Sequence, residues 1–518
     1  MKFKYILTTF AAAGALMLTS CEGMLDIPQH SVSPVEGYYD TDAGAEEGIT
    51  AVYGMMRSLE NGMCAFSQFK DFLSDDVWTG GGSHYDGTFY MLNDYTFGTE
   101  YGTLSTVYGN LYNMIYAANV VIENVTGDSD VMRRAVAEAK VFRAYAYFQL
   151  VTLWGPAPLV DHTLSEDEYM QGNSTVEKLW QFIETDLNDA INSGALTEKT
   201  NLNDKTARIT KQFAQAMLGK SYLFQEKFQQ AAEELDKVIE SGLYDLNPDL
   251  SNQGTPDGPL SYESLFEINS LQDNTQQSNN NMRWTFMGLR GEKYSYTDEN
   301  IFASSTFGYM NPRKELYDDF VAVEGEDGYR LSQTIKTREQ MAQWCTNIME
   351  ITDNEGYWCY KYRILSKYWA GYFYANNVRI MKFNEVLLLA AEAHVRGNYE
   401  ADKAVEYFNR IRTRAQAPTV SSVTFEDIKR ELRLETCFDG CRYQNLIRWG
   451  DAATELAHNG EQNPALQPDG TVTWQRYNDN TECGFKVGKH ELLPFPATEM
   501  NVNPNMTQNP GWGGGSAK

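Results

Sequence analysis

Apolar and small residues recur at helical spacing in two long runs between Leu111 and Leu153. The runs are LYNMIYAANVVIENV and VMRRAVAEAKVFRAYAYFQLVTLW, and Gly155-Pro156 stops the second. A further helix is predicted over Thr175 to Asn192, with Ser174 or Thr175 as N-cap and Glu177 in its first turn. Thr210 to Glu240 divides near Glu226-Lys227 into two more. The same patterning returns over Val378 to Gln416, with a helix beginning near Val378. There Phe383, Val386, Leu387, Ala390 and Ala391 fall on one helical face, which is therefore buried.

Two of these helix pairs share an internal repeat. Leu218-Gly219-x-x-Tyr222, followed nine residues later by Ala231, has tetratricopeptide spacing. Small residues there let antiparallel helices approach, and Tyr222 fills the groove between them. Ala404-x-x-x-Phe408, with Pro418 beyond it, repeats the second-helix half. Stacked pairs of this kind bury a continuous core and also make docking surfaces.

Between the helical parts the pattern breaks. Asn247 to Asn377 carries Gly, Pro, Asn and Ser clusters, short alternating runs and many rings. A second irregular segment is Ser74 to Tyr101, and the chain from Asn459 onward is rich in loops. In GYWCYKYRILSKYWAGYFYANN, residues 356–377, nine positions are aromatic. Trp358, Tyr360 and Tyr362 alternate with Tyr357, Cys359, Lys361 and Arg363. That predicts a strand whose rings pack between sheet and helices. From Lys367 to Asn377 the stretch reads as a loop, which makes Trp369, Tyr372 and Tyr374 candidates for the rim of a site.

Charge narrows the partners. The formal net charge is -27, which repels phosphate backbones and anionic lipid and argues against nucleic acid. Lys2 and Lys4, an apolar run from Ile6 to Met17, and Leu18-Thr19-Ser20-Cys21 form a signal peptide too short to span a bilayer. Leu, a small residue and then Cys make a bacterial lipobox, so Cys21 is the expected lipidation site. The alternative is an ordinary secretory signal with an incidental Cys. Two or more acyl chains anchor stably. The polar, proline-containing segment after Cys21 is a tether. The other cysteines, Cys64, Cys345, Cys359, Cys437, Cys441 and Cys483, are scattered. They read as buried free thiols before a disulfide or a metal set, since no His stands beside Cys437 and Cys441. No cofactor motif is present.

Several stretches carry a resemblance to a known family. AEAKVFRAYAYFQLVTLWGPAPL at 137–159, NVRIMKFNEVLLLAAEAHVRGNY with NRIRTRA at 409–415, RLETCFDGCRYQNLIRWGDA at 433–452 and ELLPFPATEMNVNPNMTQNPGW at 491–512 follow the lipobox in order. Together they resemble the signatures of SusD/RagB-type outer-membrane lipoproteins. Asp439 stands where that family usually has Glu, and Asn445 where it often has Asp. The resemblance implies a mainly α fold: tetratricopeptide-like helical pairs cradling a large, irregular, loop-rich ligand-binding half with short strands. It divides the chain into a signal peptide (1–20), a lipid-anchored tether (21–36), an N-terminal helical region (37–246), an irregular insertion (247–377) and a C-terminal region (378–518). It also implies a SusC-like TonB-dependent transporter as partner, and oligosaccharide, or in some members peptide, as captured nutrient. The expected address is the outer membrane, facing the exterior.

Sugar faces pack on aromatic rings while hydroxyls need Asn, Asp, Gln, Arg or Tyr partners. Two loop regions offer both. Trp78, Tyr85 and Asp86 surround Gly80-Gly81-Gly82, although Trp78 can equally pin its loop to the core. Asn281, Arg283, Trp284, Tyr294 and Tyr296 offer the same chemistry in the insertion, with Trp369 and Tyr372 beyond them. Arg143, Glu385, Glu392, Arg412, Arg414, Arg442 and Arg448 lie on or beside apolar helix faces and read as structural. Asp75-Asp76 resembles a glycosidase acid pair, but adjacent acids diverge on most backbones and no other catalytic set is recognisable. A binder, not an enzyme, is expected.

Overall fold

Seven helices in succession build the framework. α1 (Asp42–Leu59), α2 (Gly102–Asn124), α3 (Asp130–Leu153), α4 (Val176–Asn192), α5 (Lys211–Phe224), α6 (Phe228–Glu240) and α7 (Phe383–Gly397) each pack on the next or next but one. α8 (Ala401–Arg414) and α9 (Phe425–Thr436) close on α7, and α10 (Arg442–Trp449) follows. The computed structural model describes residues 35–513 except 63, 271–281, 297–301, 304, 371–372 and 480. Just under half of the described residues are helical, and the strands are few and short.

Local chemistry sets the ends. The Ser129 and Thr175 hydroxyls accept from Met132 N (3.1 Å) and Lys178 N (3.2 Å), so Thr175 and not Ser174 caps α4. Glu226, at φ +59°, supplies the left-handed residue between α5 and α6. Gly219 lies so close to α6 that a Cβ there would meet Leu235 Cγ at 2.6 Å. Ala231, Ala404 and Phe408 are fully buried. The small residues of the repeat are therefore where the helices touch.

One boundary differs from its periodicity. Residues 378–382 form a strand and the helix starts only at Phe383. The strands used below are β1 (Val77–Gly80), β2 (Ser264–Ile268), β3 (Tyr309–Pro312), β4 (Ile351–Thr352), β5 (Tyr357–Cys359), β6 (Val378–Lys382), β7 (Asn463–Leu466) and β8 (Val472–Gln475). β6 pairs antiparallel with β2, Val378 opposite Ile268, and Phe383 N then donates to Glu263 O at 2.7 Å. The ladder partner, 118 residues earlier at the Ser264–Lys382 pairing, claims backbone groups that a helix would otherwise use.

The conspicuous charges are consumed inside. Arg143 grips Asp186 (2.8 Å), Lys220 pairs with Glu385 (2.7 Å), Arg448 with Glu392 (2.5 Å) and Arg412 with Glu431 (2.5 Å). Arg414 joins Glu263 and Glu435. Asp75 is held by Arg442 (2.8 Å) and Asp76 by Arg433 (2.7 Å), both carboxylates buried. These two acids tie the loop after the helix at 66–72 to α9 and α10. A satellite core of Phe302, Met341, Cys345, Ile348, Ile351, Trp358 and Leu466 supports the irregular half. All six cysteines from Cys64 on are free thiols.

Candidate functional site

β1 pairs antiparallel with β3, Trp78 facing Asn311. The chain then turns sharply: Gly80 and Gly81 have φ of +82° and +93°. A Cβ on Gly80 would sit 2.3 Å from the Gly308 carbonyl oxygen, so only glycine allows this approach. Asp86 closes the loop, accepting from Gly82 N at 2.7 Å and from Arg290 Nη1 at 2.8 Å. The loop delivers Tyr85, 56% exposed, to the surface.

A hairpin meets this loop from the far end of the chain. β7 pairs with β8, Trp474 opposite Pro464, and also with β4. Trp474 is 49% exposed and approaches Trp78 edge to face at 6.1 Å. Three residues on, Tyr477 reaches Tyr85 edge to face at 5.5 Å, and Tyr85 meets Tyr90 at 5.1 Å. The rings thus form two groups, Trp474 with Trp78 and Tyr477 with Tyr85 and Tyr90, linked through the chain by residues 474–477. Beside them opens a cavity of about 420 Å³, lined in part by Tyr85, Tyr90, Asn478, Glu482 and Lys489.

A buried polar post holds the rings from below. His84 is 1% exposed, with Nε2 3.1 Å from Asp94 Oδ2 and Nδ1 3.2 Å from Asp353 Oδ2. Burial alone would depress the imidazole, but hydrogen bonds to Asp353 and Asp94, and their charges, outweigh it and raise the pKa to about 9. At neutral pH the ring is an imidazolium. Asp94 also accepts from Asn478 Nδ2 at 2.7 Å, and its backbone carbonyl from Gly484 N at 2.9 Å. One carboxylate therefore joins the early loop to the segment after the hairpin.

The structure gathers Trp78, Tyr85 and Asp86 at this place, with distinct roles. Trp78 is buried (6% exposed), donates Nε1–H to Glu355 at 2.7 Å and lies under the Arg313 guanidinium at 4.0 Å. It backs Trp474 and offers little surface itself. The insertion candidates are elsewhere. Trp284 is 1% exposed and donates to Asn376 O at 2.9 Å, and Arg283 is buried against Glu60 and Ser67. Both are core residues, because the short helix Met282–Met287 packs inward. Tyr294 accepts from Trp358 Nε1 at 2.7 Å at the edge of the satellite core. Tyr296 lies in the two-residue strand Ser295–Tyr296, and Trp369, half-buried, in the strand Trp369–Ala370 near Tyr374. Cys21, Asn281 and Tyr372 lie outside the described residues.

Trp474, Tyr477 and Tyr90 escaped the sequence reading. The signal for the hairpin was there: Gln467-Pro468-Asp469-Gly470 is turn chemistry and Val472 to Arg476 alternates. That Tyr477 meets Tyr85 was not in the pattern, since nearly four hundred residues separate the two in the chain.

Comparison with known proteins is consistent along the chain. A profile described as "SusD family" matches residues 342–512, and one described as "Starch-binding associating with outer membrane" matches 30–223. SusD-like protein P2 of Formosa agariphila is 25% identical across 96% of this chain and 98% of its own. A SusD-like protein of Bacteroides ovatus is 26% identical across 79% of this chain and 81% of its own. Among solved structures, a laminarin-binding SusD-like protein superposes with a TM-score of 0.76 at 26% identity, covering 90% of this chain and 99% of that one. Surface glycan-binding protein A from Bacteroides thetaiotaomicron reaches 0.73 at 22% identity, covering 91% and 99%, a likeness of fold.

Proposed function

The chain belongs to the SusD/RagB family, and from that premise we propose that it is a glycan-binding lipoprotein of the outer-membrane exterior. It is anchored through Cys21, captures oligosaccharide and passes it to a SusC-like TonB-dependent transporter. The observation that carries the reading is the ring surface formed by Trp474, Tyr477 and Tyr85. Flat apolar rings suit the C–H faces of pyranoses, and Asp86, Asn478, Glu482 and Lys489 supply hydroxyl partners at the edge. The His84 post and the Trp78–Glu355 bond hold the rings before ligand arrives, which lowers the ordering cost of binding. The laminarin-binding relative supports a glycan as the ligand class.

Calorimetry and affinity electrophoresis of the chain from Glu22 onward, against a polysaccharide panel with laminarin first, test the ligand. Binding to at least one glycan, weakened about ten-fold in Trp474→Ala, is expected. Binding only to peptides, or full glycan affinity in both Trp474→Ala and Tyr477→Ala, sinks the reading. Delivery is tested by co-purification of a TonB-dependent barrel with the tagged chain from its native membrane, and anchoring by release of Cys21→Ala into the medium.

A further inference from the structure

The exposed aromatic side chains among the described residues are Tyr85, Tyr116, Tyr169, Tyr399 and Trp474. Two of them belong to the ring surface above. Tyr116 (62% exposed) and Tyr169 (60%) border a separate groove of about 420 Å³ between α2 and the segment 158–171. Val160 and Met506 are among its apolar lining residues and Asn113 and Gln171 among the amide-bearing ones, the Gln171 Nε2 donating to Glu168 O at 2.8 Å.

The irregular wall is rigidly backed. The Tyr112 hydroxyl donates to Pro158 O at 2.7 Å and the Tyr147 hydroxyl to Val160 O at 2.9 Å. Asn119 Nδ2 donates to Val160 O (3.2 Å) and His162 O (3.0 Å), and Asn503 Nδ2 to Gln171 O (2.8 Å). A loop whose carbonyls are taken in this way has no need of a ligand to order it. Leaving two large rings in water costs hydrophobic stabilisation, and side-chain amides beside them give polar partners to a hydroxylated ligand.

We propose that this groove is a second saccharide subsite, taking a further segment of the polysaccharide whose first segment lies on the Trp474–Tyr85 surface. The proposal rests on the glycan-binding reading above. The path between the two is short. The cavity beside Tyr85 and Tyr90 shares Met91 with a second cavity of about 570 Å³ that is lined by Gly102, the first residue of α2. Tyr116 lies fourteen residues further along that helix, about 21 Å at 1.5 Å per residue. A short oligosaccharide occupies each place separately. A long chain spans both, and its second contact becomes intramolecular, multiplying apparent affinity without new chemistry.

The test is calorimetry of the wild type, Y116A/Y169A and W474A/Y477A with laminarihexaose and laminarin, or with the hexasaccharide and polymer of whichever panel glycan binds. Both tyrosines of the first variant are exposed, and an unchanged melting temperature verifies its fold. Expected are two hexasaccharide sites in the wild type, one in Y116A/Y169A, and polysaccharide affinity in that variant lower by about ten-fold or more. A single hexasaccharide site in the wild type, with polysaccharide affinity unchanged in Y116A/Y169A, overturns the proposal and leaves the ring surface standing. Loss of all binding in Y116A/Y169A with none lost in W474A/Y477A also overturns the two-subsite proposal, making the groove the sole glycan site in place of the ring surface. Absence of any glycan binding overturns both.

Discussion

The imidazole of His84 lies flat on the phenol ring of Tyr477, with centroids 3.8 Å apart and planes 3° from parallel. This contact fastens the glycine loop to the hairpin end. Because both ring nitrogens face carboxylates, the stacked partner is a cation, and its charge also binds Asp94 and Asp353 into one buried cluster.

That cluster makes the ring surface sensitive to alkali. The groups facing His84 are Asp94, Asp353, Tyr85, Tyr90 and Tyr477; burial and then the Asp353 charge push the Tyr477 hydroxyl above its ordinary value, so it stays neutral. The folded-state pKa of His84, about 9, lies above an unfolded value of about 6.5. Its stabilisation is therefore full below about pH 6.5 and shrinks between there and about 9, where the folded ring loses its proton. Melting temperature and glycan affinity are expected to decline together across that window. His84→Asn should flatten the decline; an equally steep profile in the variant assigns the effect to another group.

Trp474 and Trp284 are expected to separate binding from folding. Trp474→Ala removes a half-exposed ring and should weaken glycan binding about ten-fold with little change in melting temperature. Trp284→Ala empties a core position and should cost about 3–5 kcal/mol of stability. Denaturant titration beside calorimetry distinguishes them, and a stable Trp284→Ala protein with specifically lost binding would contradict the core placement.

Gly80 tests the turn. An alanine there meets the Gly308 carbonyl oxygen at 2.3 Å in a left-handed conformation, so Gly80→Ala should cost about 1–3 kcal/mol and displace Tyr85. Reduced affinity accompanied by changed Tyr85 ring resonances in NMR is the expected outcome. Gly54, with open space around its Cβ position, provides the control.

Acid stability rests on carboxylates inside the helical core. Burial opposes ionisation of Glu435, but Arg414 and Arg330 overcome it and hold the pKa at about 2. A depressed folded value means that stabilisation is present above the unfolded pKa of about 4.3 and fades as pH falls through about 2. Melting temperature should fall steadily from about pH 5 to 2. Glu435→Gln should lower it most at neutral pH, where removing one partner leaves buried Arg330 and Arg414 undercompensated. A variant as stable as wild type at pH 7 rules the network out as a stabiliser.

Arg283-Trp284 and Trp78 have the composition of a sugar contact, yet short elements turn them inward: Trp284 packs against Tyr362 at 5.2 Å and Trp78 under Arg313. Tyr85 and Asp86 stand in the loop where the glycines placed them. Composition cannot state which side of a loop faces water, because in irregular chain no period links neighbouring positions.

By itself the sequence determined the helical framework, the repeat, the breaks at Gly155-Pro156 and Glu226-Lys227, and the family. Each rests on interactions within a few residues or on a repeated spacing. Tertiary structure decided which rings meet. Trp474 and Tyr477 reach the glycine loop only because β7 pairs with β4 and His84 binds Asp353 across 269 residues of chain. Long-range pairing of that kind depends on which surfaces the helices leave open, and no local pattern encodes it.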